Sequence, residues 1–308
     1  MEDLADELRL ALARLWGDDL RIDGLRRLSG GATSETWSFD AVRAGDSVEP
    51  LILRRTRGRA VDEGALLRAA ADAGVPVPRV VASVAGGLVV ERIEGETIPR
   101  RILREEALAT TRTRMAAQCG IILARLHRIP TDAVPGLERP DPLPTWQAML
   151  DGLGQPHPAF ELALRWLREH QPPSAATTIV HGDFRNGNLV VGPDGVRAVL
   201  DWELAHLGDP MEDVGWLCVK AWRFGVNDKR VGGFGDEADL YTAYESAGGG
   251  TVDPTVVRWW EVLGTLKWGI MCIVQAMTHL SGASRSVELA AIGRRVCENE
   301  WDLLELIE

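Results

Sequence analysis

The sequence predicts an α+β protein of two lobes: a small N-terminal lobe formed by an antiparallel sheet with one packed helix, and a larger, mostly helical C-terminal lobe. Between residues 25 and 91, short apolar runs alternate with Gly, Asp and Pro turn signals, a pattern typical of successive antiparallel strands. Beyond residue 95, apolar residues recur at helical spacing. We therefore predict an N-terminal lobe over residues 1–92 and a C-terminal lobe over residues 93–308.

The elements of the N-terminal lobe follow from this pattern. Leu4, Leu8, Leu12 and Leu15 have helical spacing and predict an amphipathic helix over residues 2–16. A second helix is predicted for VDEGALLRAAADAG, because Gly74 and a pair of prolines end the pattern there. The strands are predicted for the runs LRRLSGG, TWSFDAV, LILRR, RVVASV and GLVVER.

The C-terminal lobe is predicted to be helical apart from one short island of strands. The helices are predicted over residues 104–128, 144–153, 158–170, 210–221, 236–247, 253–280 and 286–306. The island, TTIVHGDFRNGNLVVGPDGVRAVLDWELA, contains short apolar strands over residues 178–180, 189–191 and 197–200, and a P-D-G turn joins the last two. Trp259, Trp260 and Trp268 lie on one predicted helix and are interpreted as core residues.

Charge and cysteine usage exclude several classes of protein. The 308-residue chain has 34 basic and 45 acidic residues and a net charge of -11, which disfavours binding to nucleic acid or to anionic lipid. Its four cysteines form no C-x-x-C pair, so neither a disulfide framework nor a zinc knuckle is predicted. The acidic first residues, MEDLADELRL, do not resemble a secretory signal, and Lys267 and Gln275 interrupt the most apolar late stretch. We expect a cytoplasmic protein outside the membrane.

Several nucleotide and hydrolase motifs are absent from the sequence. Only three lysines occur, Lys220, Lys229 and Lys267, and none precedes Ser or Thr, so there is no G-x-x-x-x-G-K-[ST] loop. No G-x-G-x-x-G, G-x-S-x-G or H-E-x-x-H pattern occurs either. These absences disfavour P-loop, dinucleotide-binding, serine hydrolase and zinc protease functions. Any cation needed in the first two thirds of the chain must be an arginine.

The island carries the spacing of a phosphoryl-transfer loop. His181, Asp183 and Asn188 form an H-x-D-x4-N pattern, in which the Asp receives the proton of an attacking hydroxyl and the Asn coordinates Mg²⁺. A strand that follows ends in Asp201, where a second metal-binding carboxylate would lie. Mg²⁺ is usually held by one or two protein oxygens together with phosphates, so Asn188 and Asp201 would suffice. Arg185 would neutralise charge on the transferred phosphoryl group.

These segments resemble a known enzyme family. HGDFRNGN followed by VLDWELAHLGDPMEDVGWL is similar to the aminoglycoside phosphotransferase family of small-molecule kinases, and most similar to its branch found alone or joined to acyl-CoA dehydrogenases. The resemblance extends from LSGGATSETW to the final helices. It implies a protein-kinase-like bilobal fold with ATP in the cleft between the lobes, Mg²⁺ as the metal and a small molecule with a hydroxyl group as the acceptor.

The resemblance also implies roles for residues of the N-terminal lobe. LSGGATSET resembles the loop over the nucleotide phosphates, where Gly30 and Gly31 let the backbone approach closely. Arg54 stands where many relatives carry a phosphate-binding lysine, and Glu63 matches the helix glutamate that pairs with it. The hinge-like segment VVERIEG places the backbone of two residues at the adenine, Glu91 and Ile93.

Arg54 is a departure from the family pattern. A guanidinium is always charged and can contact a phosphate and a carboxylate together, but it is wider than an ammonium group. We expect Arg54 to keep the pairing role. The replacement also motivates a hypothesis from another class, a pseudokinase or nucleotide-sensing module that binds another protein.

The sequence leaves open a second type of reaction and the identity of the acceptor. A metal-dependent phosphoesterase would use His181, Asp183, Asp201 and Asp209, but such sites usually need more ligands for two metals. His181 is instead interpreted as a brace for backbone, and Asp209 and Asp213 as residues that cap and fix the helix behind the loop. For the acceptor, the resemblance suggests a hydroxyacyl-CoA or related hydroxy acid, with an aminoglycoside as the alternative.

Overall fold

The N-terminal part of the fold is a five-stranded antiparallel sheet. The computed structural model describes residues 2–28, 34–43, 45–56, 62–84, 86–173 and 176–308. Within them, the strands of this sheet are β1 Arg21–Arg27, β2 Ser34–Arg43, β3 Ser47–Thr56, β4 Val80–Val84 and β5 Gly87–Glu91. Their order across the sheet is β1-β2-β3-β5-β4, and every neighbouring pair is antiparallel. Two helices belong to this part, α1 Glu2–Trp16 and α2 Glu63–Asp72.

The two faces of the sheet pack against different cores. Leu4, Leu8 and Leu12 of α1 cover one face, where they join Leu51, Leu53 and other buried side chains of the strands. The opposite face packs on α2, and its core is continuous with that of the helical region. In β5 successive side chains point into opposite cores. Val89 lies in the core under α1, and both Leu88 and Val90 lie in the core shared with the helical region.

The remainder of the described chain is mostly helical and carries two small antiparallel ribbons. The helices are α3 Pro99–Arg104, α4 Ala109–Leu126, α5 Pro142–Leu153, α6 Pro158–Glu169, α7 Met211–Cys218, α8 Glu237–Ser246, α9 Pro254–Leu280, α10 Val287–Ile292 and α11 Val296–Ile307. One ribbon pairs β6 Thr178–Val180 with β9 His206–Gly208, and the other is the hairpin of β7 Leu189–Gly192 and β8 Gly195–Val199. The predicted α+β architecture is confirmed.

The structure differs from the prediction at several element boundaries. The helix predicted over 104–128 is two helices, because Glu105 is extended between α3 and α4. The helix predicted over 286–306 is interrupted by a 3₁₀ turn, Gly293–Arg295. Strand β9 was not predicted. The division at residue 92 stays a prediction: β5 ends at Glu91 and α3 begins at Pro99.

The predicted core tryptophans differ in burial. Trp259 and Trp260 are buried, as predicted, whereas Trp268 is partly exposed. No helix in the ranges described above is long and apolar enough to cross a membrane.

Candidate active site

The segment from His181 to Asn188 connects β6 to β7, and its backbone is hydrogen-bonded to Asp213. The fully buried Asp213 carboxylate accepts hydrogen bonds from the backbone N–H groups of His181 at 2.7 Å and Gly182 at 2.9 Å. Gly182 has a φ of +76°, and a Cβ there would overlap the carbonyl oxygen of Leu204. Glycine is therefore required where the loop leaves β6.

Asp213 does more than the sequence predicted. The prediction that it caps a helix is wrong, because it lies inside α7 and accepts bonds from the loop and from His127, whose Nε2 lies 3.2 Å from Asp213 Oδ2. Burial by itself raises the pKa of Asp213, but the hydrogen bond and charge of His127 outweigh burial and hold the pKa below its usual value. Asp209 does act as a helix-terminal acceptor, since its Oδ1 accepts from the N–H of Met211 at 2.8 Å.

His181 braces the backbone, as predicted. It is fully buried, its Nε2 donates to the carbonyl oxygen of Leu200 at 3.0 Å, and its Nδ1 accepts from the N–H of Asp183 at 3.2 Å. Burial lowers the pKa of His181, so the neutral ring that this hydrogen-bond pattern requires is favoured.

The Asp183 carboxylate is oriented by three donors. Its Oδ1 accepts from Arg185 Nε and from Trp216 Nε1, both at 2.9 Å, and its Oδ2 accepts from Asn188 Nδ2 at 2.7 Å. Asn188 Nδ2 also reaches the backbone carbonyl of Asp183 at 2.9 Å. The amide nitrogen of Asn188 therefore faces Asp183, and its oxygen is left for another ligand.

Two residues from later helices complete this arrangement and were missed by the sequence analysis. Trp216 in α7 donates to Asp183, as described above. Lys267 in α9 donates to the carbonyl oxygen of Gly182 at 2.9 Å, and its ammonium lies 4.4 Å from the ring centre of Trp216. Lys267 is thus buried in the support of the loop. Trp216 ends the segment LGDPMEDVGW, which the sequence analysis had noted, but nothing in that segment indicated a hydrogen bond to Asp183.

Arg54 connects the sheet to the second predicted metal ligand. In β3, its Nη1 lies 2.7 Å from Glu63 Oε1, which is the predicted pair, and its Nη2 lies 2.9 Å from Asp201 Oδ1, a contact that was not predicted. Asp201 follows β8 with a left-handed backbone, φ +66°. This conformation turns its carboxylate back toward β3 and is uncommon for a residue with a side chain.

A cavity of about 470 Å³ lies between the sheet and the β7–β8 hairpin and is here called the inter-lobe cleft. Arg54, Asn188 and Asp201 line it, together with apolar residues including Ile52, Val90 and Val190. Two predicted hinge residues also line it, Glu91 and Ile93. The N–H of Glu91 is already used by the carbonyl oxygen of Arg79, at 3.0 Å. Gly30 and Gly31 lie outside the described residues.

The oxygens available for a divalent metal are those of Asn188 and Asp201. In the part of the chain that the structure describes, no group donates to the side-chain oxygen of Asn188, and the hydrogen bond from Arg54 goes to Asp201 Oδ1, not to Oδ2. Two hard oxygen donors beside a phosphate-sized space fit Mg²⁺. Over the same ranges there is no cluster of three or more His, Cys, Asp or Glu residues of the kind that a phosphoesterase requires.

Comparison with known proteins supports a single family. The mouse protein "Acyl-CoA dehydrogenase family member 10" is 32% identical over 170 residues, which are 50% of this chain and 16% of the mouse protein. The chain thus spans only a small part of that relative. The predicted likeness to the branch found with acyl-CoA dehydrogenases is confirmed.

Solved structures share the fold. A spectinomycin phosphotransferase in complex with ADP and spectinomycin has a TM-score of 0.70 at 14% identity, with 98% of each chain covered. A choline/ethanolamine kinase family protein from Mesorhizobium loti has a TM-score of 0.66 at 23% identity, covering 98% of this chain and 94% of the other. At these identities the likeness shows the kinase-like phosphotransferase fold. The model of the phosphotransferase enzyme family matches residues 24–260, and the chain belongs to that family.

Proposed function

We propose that this enzyme transfers the γ-phosphoryl group of ATP to a hydroxyl group of a small molecule, with Mg²⁺ as cofactor. The observation that carries the proposal is the convergence of Arg54, Asn188 and Asp201 on the inter-lobe cleft, with Asn188 bonded directly to Asp183. A cation, two metal-binding oxygens and a carboxylate for the acceptor are the groups that phosphoryl transfer needs.

The nucleotide occupies the inter-lobe cleft in this proposal. Its adenine lies against the apolar lining, beside the backbone of Glu91 and Ile93. Arg54 contacts the phosphates while Glu63 fixes its position; the predicted role of Gly30 and Gly31 at the phosphates stays a prediction. The complex of the spectinomycin phosphotransferase with ADP supports nucleotide use by this fold.

Asn188 and Asp201 would hold Mg²⁺, which when bound neutralises charge on the β- and γ-phosphates. Asp183 positions the acceptor. The acceptor oxygen forms a bond to the γ-phosphorus, the bond from that phosphorus to the bridging oxygen breaks, and ADP leaves with the electron pair. The proton of the hydroxyl passes to the Asp183 carboxylate. Arg185, which bonds Asp183 and lies 4.5 Å from the ring centre of Trp222, offsets charge on the transferred group.

For the acceptor, we propose a hydroxyacyl-CoA or a related hydroxy acid. The name of the mouse relative supports this class, because an acyl-CoA dehydrogenase and a kinase domain on one chain would act on related substrates. Spectinomycin bound to a structural neighbour supports a different acceptor, an aminoglycoside. A nucleotide sensor without catalysis is the third possibility, since Arg54 replaces lysine.

The test is to incubate the purified protein with MgATP and, separately, hydroxyacyl-CoAs, aminoglycosides and amino alcohols, and to detect phosphorylated product by mass spectrometry. Asp183→Ala should reduce turnover by roughly 10²-fold or more, while MgATP binding stays within about twofold because Asp183 does not line the inter-lobe cleft. The matched control is Asp194→Ala, an exposed aspartate in the β7–β8 turn. Undiminished transfer by Asp183→Ala, or no product with any acceptor class, would overturn the proposal.

A further inference from the structure

A second, larger cavity lies among the helices, and we call it the helical cleft. Its volume is about 1130 Å³, slightly above the roughly 300–1,000 Å³ typical of ligand sites. The walls are α3, the segment from Lys220 to Asn227, and the C-terminal elements from Ala291 to Asp302. None of its lining residues belongs to the inter-lobe cleft, so the nucleotide and a second ligand can be bound together.

One wall of the helical cleft touches the catalytic loop directly. Helix α3, which supplies Arg100 and Arg104 to the lining, begins at Pro99. Pro99 Cγ lies 3.4 Å from the position that a Cβ of Gly187 would occupy. Gly187 lies within the loop between Asp183 and Asn188 and also lines the inter-lobe cleft. Gly187 therefore lines the inter-lobe cleft and also lies against the first residue of a helix that forms a wall of the helical cleft.

The opposite wall reaches the same loop through Trp222. This residue belongs to the 3₁₀ turn Lys220–Arg223, whose first two residues line the helical cleft. The ring of Trp222 lies 4.5 Å from the guanidinium carbon of Arg185, and Arg185 bonds Asp183. Trp222 and Arg185 thus connect this wall to the carboxylate that positions the acceptor hydroxyl, although neither they nor Asp183 line the cleft itself.

The charge of this cleft is opposite to that of the whole chain. The chain has a net charge of -11, yet the cleft is lined by five basic residues and only two acidic ones. The acidic residues are Glu298 and Asp302, and the basic residues are Arg100, Arg104, Lys220, Arg294 and Arg295. A concave surface of one sign concentrates ligands of the other sign.

Both acidic residues are already paired. Asp302 lies 2.7 Å from Lys220, and Glu298 lies 3.2 Å from Arg295. The remaining three arginines are exposed and have no acidic partner in the described ranges: Arg100, Arg104 and Arg294. Guanidinium groups bind phosphate oxygens in a bidentate manner. Three unpaired guanidinium groups in one cavity match a ligand with several phosphate charges.

The cleft also offers an apolar surface. Trp301 is 63% exposed in its wall, and Phe224 lies in the lining with it. An exposed indole beside arginines can stack on a flat or apolar part of a ligand. The lining therefore suits a molecule that combines phosphate groups with such a part.

We infer that the helical cleft binds the acceptor, that the acceptor is a phosphate-bearing hydroxy compound, and that Arg100, Arg104 and Arg294 select it. This inference rests on the proposed function. It adds that the acceptor is negatively charged and that three residues determine specificity for it. A polycationic acceptor is disfavoured at this surface.

The test measures binding of two probes while the inter-lobe cleft is saturated with Mg²⁺ and AMP-PNP, so that neither probe can occupy the nucleotide site. The probes are coenzyme A, which carries phosphates, and kanamycin, a polycation. Isothermal titration calorimetry is run on the parent protein, on Arg104→Glu/Arg294→Glu and on the matched control Arg285→Glu. Arg285 is also exposed and lies in the same part of the chain as Arg294, but it does not line the cleft.

Coenzyme A should bind the parent protein, and its Kd should rise roughly tenfold or more in Arg104→Glu/Arg294→Glu. The control should stay within about twofold of the parent, because a distant exposed charge is screened. AMP-PNP affinity, measured on each variant first, should be unchanged. If the parent protein does not bind AMP-PNP, that result counts against the proposed function and not against this inference.

Three results would overturn the inference while the proposed function stands. They are AMP-PNP binding by the parent without coenzyme A binding, equal weakening of coenzyme A in the double variant and the control, and tighter binding of kanamycin than of coenzyme A. A second variant, Arg100→Gln, guards against misfolding of the first. It should weaken coenzyme A measurably without altering thermal stability, since Arg100 makes no contact with an acidic residue in the described ranges.

Discussion

Arg54 donates to Asp201 across 2.9 Å although 147 residues separate them in the sequence. The same guanidinium binds Glu63 at 2.7 Å, so one side chain joins β3, α2 and the end of β8. A lysine, with a single nitrogen, could not present two such nitrogens in a fixed plane. The arginine therefore gives this chain a fixed connection between the sheet and the predicted metal ligand.

Arg54→Ala should destabilise the fold and weaken nucleotide binding. Glu63 is only 8% exposed and would lose its ion pair with Arg54, so the free energy of unfolding in urea should fall by roughly 2 to 4 kcal/mol. Arg27→Ala is the matched control, because its pair with Glu35 in the same sheet is exposed and should contribute less than about 1 kcal/mol. Equal losses in the two variants would contradict the role of Arg54.

Trp216→Phe removes the indole donor to Asp183 and keeps most of the packing. The carboxylate is then held by two donors, and kcat should fall by roughly tenfold, with the KM for ATP nearly unchanged. Trp259→Phe is the control, since it also removes a buried indole donor, in this case to the carbonyl oxygen of Leu167. It should lower stability without changing kcat. The prediction fails if both variants keep the parent kcat.

Asp213→Asn should disorganise the loop while keeping the side-chain volume. Only one oxygen remains to accept from the N–H groups of His181 and Gly182, and an NH₂ group faces the other donor. The free energy of unfolding should fall by roughly 2 to 4 kcal/mol and kcat should fall with it. Chemical denaturation and steady-state kinetics check this, with Asp194→Asn as the exposed control. Parent-like stability and kcat in Asp213→Asn would show that the loop holds its shape unaided.

The pH dependence of stability should report the ion pair of His206 and Glu212. Burial by itself lowers the pKa of His206, but the hydrogen bond and charge of Glu212, 3.1 Å away, outweigh it and raise the pKa above its usual 6.5. Because the folded chain holds the His206 proton more tightly than the unfolded chain does, the ion pair stabilises the fold. Its full contribution to stability is present below about pH 6.5 and is lost as pH rises through the folded pKa. His206→Gln should therefore lower Tm more at about pH 5.5 than at about pH 8.5.

His181 contributes a pH dependence of stability with the opposite sign. Burial lowers its pKa, so the unfolded chain takes up a proton below about pH 6.5 that the folded chain resists, and stability falls as pH drops from that value. In His206→Gln this loss is no longer opposed, and its Tm should decline more steeply on acidification than that of the parent. Parallel Tm profiles for the two proteins would disprove the assignment of His206.

Sequence patterns predicted the parts of the site that are close together in the chain. Asp183 and Asn188 share one loop, and Asp201 follows one hairpin later, so their spacing suggested a common site, and the resemblance to a kinase family gave that site its predicted roles. Trp216 and Lys267 reach the loop from 33 and 85 residues away. Helical periodicity shows which face of a helix is buried, but it does not show which loop that face meets.

The same limit explains the errors in the fold. Ile102 and Leu103 continue the apolar spacing of α4, so the extended Glu105 between two helices left no trace in the pattern. Strand β9 has three residues and exists only because it pairs with β6, a distant partner earlier in the chain. The longer strands were predictable because their alternation spans several residues.

The division of β5 between two cores determines how the molecule unfolds. Val89 anchors the strand under α1, while Leu88 and Val90 anchor it in the large helical core. A fragment cut after residue 92 would keep α2 over those two side chains but lose the rest of the large core, so it would not be a cooperative unit by itself. Calorimetry of the intact chain should accordingly show one heat-absorption peak in which sheet and helices melt together.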